Sequence, residues 1–251
     1  MNMFEGYIKV NDKELPKTAL GTAPFTAAPY FGHRSRLYQL DLYQRPENIV
    51  KIIKKSHDLG IKAIQVIPEK PIIKALKEVL NDGMELDIWG TIRKENMEND
   101  LNLLSDLNAS VMFLDEWLTD KSEMSLVGDL LKQITDNGAI SGLITALPME
   151  TTPKLLDSSI KDIFDIYMIP VNKIGYMMDY PIFMDKERTN LAEMLQKLDK
   201  IVMASKILAV GILNPNEALD FLKTLNYVDM VTLGIASERE AEETFGLLFK
   251  K

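Results

Sequence analysis

Short, nearly unbroken apolar runs alternate along this chain with longer amphipathic stretches, and the alternation continues to the C-terminus. Buried parallel strands produce such runs because both of their faces are covered, and the intervening stretches carry the period of helices packed on one side. The core strands predicted in this way are Thr18–Thr22, Ala63–Ile67, Leu86–Thr91, Ser110–Leu114, Ala139–Ile144, Asp165–Ile169, Ile201–Ser205 and Met230–Gly234. Pro46 starts a helix with Ile49, Val50, Ile52, Ile53 and Leu59 on one side, and Gly60 ends it. A second helix runs through Ile72, Ile73, Leu76, Val79 and Leu80, a third covers about Glu95 to Leu107, and Gly138 closes the helix before the fifth strand. Before the first core strand, Phe4 to Val10, the turn pair Asn11-Asp12 and Lys13 to Leu20 read as a short hairpin.

Eight strand–helix alternations predict an α/β protein, a (β/α)8 TIM barrel with a short N-terminal β-hairpin, over 1–251 as one domain. A doubly wound open sheet is the alternative; the count of eight and the lack of a Gly-rich dinucleotide fingerprint after the first strand speak against it. No Pro/Gly/Ser-rich linker divides the chain.

Composition narrows the picture further. At 46% hydrophobic and 26% charged residues the chain can bury a sizeable core. It has no cysteine, so thiolate metal sites, disulfides and cysteine nucleophiles drop out together. A net charge of −8 argues against a general nucleic-acid binder. With neither a signal-like start nor an apolar run near the ~20 residues that span a bilayer, the expectation is a cytoplasmic protein with no membrane partner.

The order of several phrases resembles the aldo-keto reductase family. They are Leu20-Gly21-Thr22, His57-Asp58-Leu59-Gly60-Ile61, Phe164 to Asn172, Val202 to Gly211, and Leu233 to Glu243. The resemblance implies a barrel whose floor is closed by the N-terminal hairpin. It also implies nicotinamide-cofactor contacts at Lys206, Gly211, Ser237 and Arg239, while the residues leave the cofactor open between NADP, a divalent metal and none. The family's carbonyl chemistry uses an Asp and a Tyr after the second strand, a Lys on the third and usually a His on the fourth. Here those regions read Gln65-Val66-Ile67-Pro68-Glu69, Gly90-Thr91-Ile92-Arg93 and Leu114-Asp115-Glu116-Trp117, so the tetrad is missing.

Active sites in such barrels sit at the C-terminal ends of the strands, so the polar residues just beyond each apolar run are the candidates. For catalysis these are Lys206, as an electrophilic or nucleophilic centre, with Glu69, Asp115 and Glu116 moving protons. For substrate they are His33, Arg34, Arg36, Arg93, Asn172 and Lys173. Gly211, Gly234, Ser237 and Arg239 are candidates for a phosphate or cofactor phosphate. Glu69, Asp115, Glu116 and His33 could together offer oxygen and nitrogen ligands to a divalent metal.

Cations outnumber carboxylates in this set. It therefore points to a small anionic carbonyl metabolite, with or without a phosphate, handled by lyase or isomerase-type chemistry. The alternatives are a divergent NAD(P)-dependent oxidoreductase and a non-catalytic binding barrel. The long segment from Ala23 to Arg45, with Tyr30, Phe31, Tyr38 and Tyr43, should fold over the mouth and present an arginine to the ligand. Tyr176 to Tyr180 reads as a lid or pocket wall.

Overall fold

The structure is a computed structural model and describes residues 4–179 and 185–249. Its first two strands, β1 (Tyr7–Val10) and β2 (Lys13–Pro16), form the antiparallel hairpin. Eight parallel strands follow: β3 (Thr18–Gly21), β4 (Ala63–Val66), β5 (Asp87–Ile92), β6 (Val111–Leu114), β7 (Ile140–Ile144), β8 (Ile166–Pro170), β9 (Ile201–Ser205) and β10 (Met230–Gly234). They pair in sequence order, and β10 returns to β3 with Val231 opposite Thr18, which closes the barrel and excludes the open sheet.

Strand alternation sorts the side chains into two cores. Ala19, Ala63, Trp89, Phe113, Ile166 and Met203 face the barrel axis, and Val10 and Leu15 of the hairpin join them from below. The hairpin is thus a plug of the N-terminal end. The opposite faces, with Ile64, Met112, Tyr167, Val202 and Ala204, pack against the helical layer.

That layer comprises α1 (His33–Tyr38), α2 (Pro46–Asp58), α3 (Lys70–Asn81), α4 (Met97–Asp106), α5 (Glu116–Lys121), α6 (Met124–Asp136), α7 (Pro148–Leu156), α8 (Asp185–Leu198), α9 (Pro215–Leu222) and α10 (Glu238–Leu248). Gly60 and Gly138, which follow α2 and α6, hold φ of 100° and 77°, the left-handed turn that ends a helix without a Cβ clash. No helix among the described residues is long and apolar enough to cross a membrane.

Two local expectations change. The connection from Ala23 to Arg45 is not irregular: it contains short 3-10 turns, α1 and a π-helical turn over Gln39–Tyr43. Between β6 and β7 the chain makes two helices, the first only Glu116–Lys121. Tyr180, the last residue of the expected lid segment, lies outside the described residues.

Candidate functional site

The C-terminal mouth of the barrel opens into one cleft of about 760 Å3. This is in the upper part of the range of ligand clefts, roughly 300–1,000 Å3. Inward-facing residues toward the C-terminal ends of the strands form its floor: Gln65 on β4, Thr91 on β5, Ile144 on β7, Met168 on β8, Ser205 on β9 and Thr232 on β10. Gln65 Nε2 donates to Thr91 Oγ1 at 2.7 Å. Thr232 is 7% exposed, and its Oγ1 has no hydrogen-bond partner in the protein. A Cβ on Gly21 would come within 2.8 Å of that oxygen, so the glycine gives the hydroxyl its room.

Above the floor, Lys206 Nζ lies 3.5 Å from Glu116 Oε2. Lys206 follows β9 and Glu116 follows β6, three strands apart in the barrel, so the pair bridges the mouth. Regular alternation would turn Lys206 toward the helical layer, on the side of Val202 and Ala204. Its left-handed backbone, φ 56°, breaks the alternation and brings the side chain into the cleft. A non-glycine residue in that region costs on the order of 1–2 kcal/mol, which the surrounding turn must hold in place.

The segment after β3 does fold over the mouth. Tyr30, Phe31, Arg34 and Tyr38 line the cleft, with the rings of Phe31 and Tyr38 edge to face at 5.1 Å. Burial pushes the Tyr30 phenol well above its ordinary range, and Glu116 adds to the shift. Arg34 lies across the turn after β9 with Nη2 3.4 Å from the Gly211 carbonyl, and a Cβ on Gly211 would meet Nη1 at 2.0 Å. The glycine's open face thus holds this arginine. Trp117, 62% exposed, stands at the rim.

Most of the charged candidates are committed to the fold. Arg93 donates from Nε and Nη2 to the two carboxylate oxygens of Asp100, both at 2.8 Å, and from Nη1 to Glu69 Oε1 at 2.8 Å. Arg93 and Glu69 both line the cleft, and each neutralises the other at the ends of adjoining strands. Asp115, which lines the cleft, accepts from Leu118 N at 2.8 Å and Lys94 N at 3.0 Å and so caps α5. Asn172 shapes its own turn through Tyr176 N and Tyr176 O, each at 2.8 Å, and Lys173 pairs with Glu217 at 2.6 Å. His33 and Arg36 are exposed and do not line the cleft. The four proposed metal ligands are not brought together, and no group of three His, Cys, Asp or Glu side chains gathers among the described residues.

At the expected phosphate position, where Gly211 and Gly234 line the cleft, two backbone amides are met by the chain's own side chains. Ser237 Oγ accepts from Glu240 N at 3.1 Å, and the Glu240 carboxylate accepts from Ala236 N at 2.8 Å. The Ser-x-x-Glu spacing of this capping box is present in the sequence and could have been read there. Arg239 points into solvent and pairs with Glu243 at 2.8 Å.

Counted over the cleft, the carboxylates are Glu69, Glu95, Asp115, Glu116, Glu240 and Glu243, and the cations are Arg34, Arg93 and Lys206. Six against three reverses the expected basic mouth. An anionic substrate and the phosphate-based lyase or isomerase reading lose their electrostatic basis.

Asp115 carries a pH prediction. Desolvation pushes its carboxyl above the ordinary value, with the two backbone donors opposing the shift. The folded state therefore holds that proton to higher pH than the unfolded chain does, and ionisation costs stability as pH rises through this range. Asp115→Asn, which keeps an N-cap, should gain stability relative to the parent as pH goes from about 3 to 7. Melting curves across that range test it; a constant difference between the two proteins would contradict the sign.

Solved structures with this architecture are plentiful. A thermostable aldo-keto reductase in complex with the inhibitor epalrestat superposes with a TM-score of 0.67 at 15% identity, covering 98% of this chain and 94% of that one. An aldo-keto reductase complexed with NADPH gives 0.65 at 14% identity, with 98% and 83% covered. The aldose reductase of Schistosoma japonicum gives 0.63 at 15%, with 98% and 87% covered. This is the aldo-keto reductase fold. No sequence-family model matches the chain, and no curated protein matches it in sequence. The likeness to these structures is one of fold, over almost the whole chain. The ends of β4 and β5 carry a glutamine–threonine hydrogen bond where the resemblance would place part of a tetrad.

Proposed function

We propose that the protein is a divergent oxidoreductase of aldo-keto reductase type, exchanging hydride between a nicotinamide dinucleotide and a small carbonyl compound or alcohol. In this reading Lys206 and Glu116 take the place of the family's proton-donating residues. The observation that carries it is the ion pair bridging the mouth over an uncharged polar floor. Reductase neighbours, one of them complexed with NADPH, favour this reading over lyase or isomerase chemistry.

The residues present fit the group. Thr232 Oγ1, unpartnered and buried, and the Gln65 amide offer both donor and acceptor capacity to a carboxamide or a substrate oxygen on the floor. Arg34, free of any ion pair among the described residues, can face a pyrophosphate. When bound, the nicotinamide supplies the hydride.

The chain's own part is the proton. The Lys206 ammonium donates a hydrogen bond to the substrate's carbonyl oxygen and passes its proton to that oxygen as negative charge develops there. The amine left behind stays beside Glu116, whose side chain is 40% exposed, and takes a new proton from solvent. In the oxidising direction the amine removes the alcohol proton. Ile144, Met168, Ile207 and Leu233 supply an apolar wall that keeps water from the reacting atoms.

The test is the absorbance of the reduced nicotinamide at 340 nm during incubation with aldehydes, ketones and quinones of increasing apolar size. Substrate-dependent turnover is the expected result. Absence of turnover across the panel, with cofactor demonstrably bound, would leave a binding barrel and overturn the catalytic reading.

A further inference from the structure

We infer that the substrate of this cleft is a cation: a small carbonyl compound, or the corresponding alcohol, whose apolar body carries an ammonium group held among Glu95, Asp115 and Glu116. The charge of the ligand is read from the cleft itself, and only the word substrate rests on the oxidoreductase reading above. Glu95 follows β5, and Asp115 and Glu116 follow β6, so the three carboxylates share one side of the mouth. Arg34, which has no ion pair among the described residues, lies against the turn after β9, four strands from β5 in the closed barrel and so on its opposite side.

The cations near the acidic side do not neutralise it. Arg93 is held by Asp100 and Glu69. Lys206 is a single positive charge and meets Glu116 at 3.5 Å. Asp115 accepts only from backbone amides, and the Glu95 carboxylate has no ion pair or hydrogen bond among the described residues. Burial is the main cause that raises the Asp115 carboxyl, and Glu95 and Glu116 add to it, as like charges do when no cation stands between them. A cleft with one sign of charge in excess focuses its potential and draws in the opposite charge. Tyr30, which feels the Glu116 charge, and Trp117 also line the cleft, and their ring faces attract an ammonium group.

An independent observation shows that the cleft receives a ligand. Thr232 is 7% exposed, and its Oγ1 has no partner in the protein, although buried hydroxyls are nearly always bonded. It lines the floor, where it can donate to an oxygen of the ligand. Ile144, Met168, Ile207 and Leu233 line the same cleft and suit an apolar body.

The experiment compares three para-substituted benzaldehydes: the trimethylammonio compound, its neutral tert-butyl isostere and the carboxylate. Binding to the intact protein is measured by calorimetry, and turnover with reduced nicotinamide is measured separately. The ammonium compound should bind on the order of tenfold or more tightly than the tert-butyl one at low salt, with the carboxylate weakest, and the gap should narrow at high salt. Glu95→Gln, a change at an exposed side chain, should cut the preference for the ammonium compound severalfold while the affinity for the tert-butyl compound and the melting temperature stay nearly unchanged. Tighter binding of the ammonium compound with no turnover of any of the three keeps the inference about the ligand's charge and overturns the oxidoreductase reading. Turnover with equal or weaker binding of the ammonium compound overturns the inference and leaves that reading standing. Failure of the ammonium compound to bind at millimolar concentration, or a preference that Glu95→Gln does not alter, overturns the inference as well.

Discussion

Replacing Arg93 by Met is expected to lower the melting temperature by roughly 6–12 °C while ligand affinity changes by less than about twofold. The side chain of Arg93 is 15% exposed, and Asp100 beneath it is 3% exposed, so the substitution leaves a nearly buried carboxylate with only the Arg93 backbone N–H. Breaking a buried pair on one side costs about 3–5 kcal/mol, and the lower end applies here because that backbone bond survives. For a chain of this length about 3 kcal/mol corresponds to the stated shift. Arg93→Met with Asp100→Leu should recover much of the loss, since the charge left behind is what hurts. Thermal unfolding of the two variants beside a ligand titration gives the answer. Intact stability with weakened binding would return Arg93 to the substrate set.

The contrast between Arg93 and Lys206 explains how much of this protein could be read from its sequence. The fold was legible because its causes are local and repeated: continuous apolar strands, Pro46 and Gly60 bounding a helix, and a turn pair at Asn11-Asp12 all act over a few residues. The site was legible only as a set of positions beyond strand ends. Which charge meets the ligand depends on partners distant in sequence, such as Pro68 and Glu69 around Arg93, and nothing in the order of residues announces those pairings. Lys206 was singled out, but alternation along β9 would have turned it outward, and only the left-handed turn places it in the mouth.

The polar floor was missed for a different reason. Gln65, Thr91 and Thr232 sit inside apolar runs and look like ordinary strand residues. The available signal was their common position, since each is a polar residue facing inward near the C-terminal end of its strand, two places beyond the apolar inward residues Ala63, Trp89 and Met230. The acidic character of the cleft was invisible because Glu240 and Glu243 belong to the face of α10 that reaches back over the mouth. Helical periodicity alone does not say which charged face that is.

If the protein is the oxidoreductase proposed above, Lys206→Met should reduce kcat for carbonyl reduction by about 10²–10⁴, the usual contribution of a placed proton donor, with the dissociation constant of the reduced nicotinamide almost unchanged. Stability should move little, because Glu116 is 40% exposed and an ion pair in contact with water contributes only about 0–1 kcal/mol. Lys206→Arg separates charge from proton donation: guanidinium holds the positive charge but gives up its proton far less readily, so activity should remain low. Glu116→Gln keeps the lysine and removes the carboxylate that faces it, and should cost a smaller factor, about tenfold. Single-turnover rates with the reduced nicotinamide bound report the chemical step apart from binding. If Lys206→Met turns over within a factor of about three of the parent, the proton comes from elsewhere on the mouth. Tyr30, whose phenol lines the same cleft and feels the Glu116 charge, is then the residue to replace next.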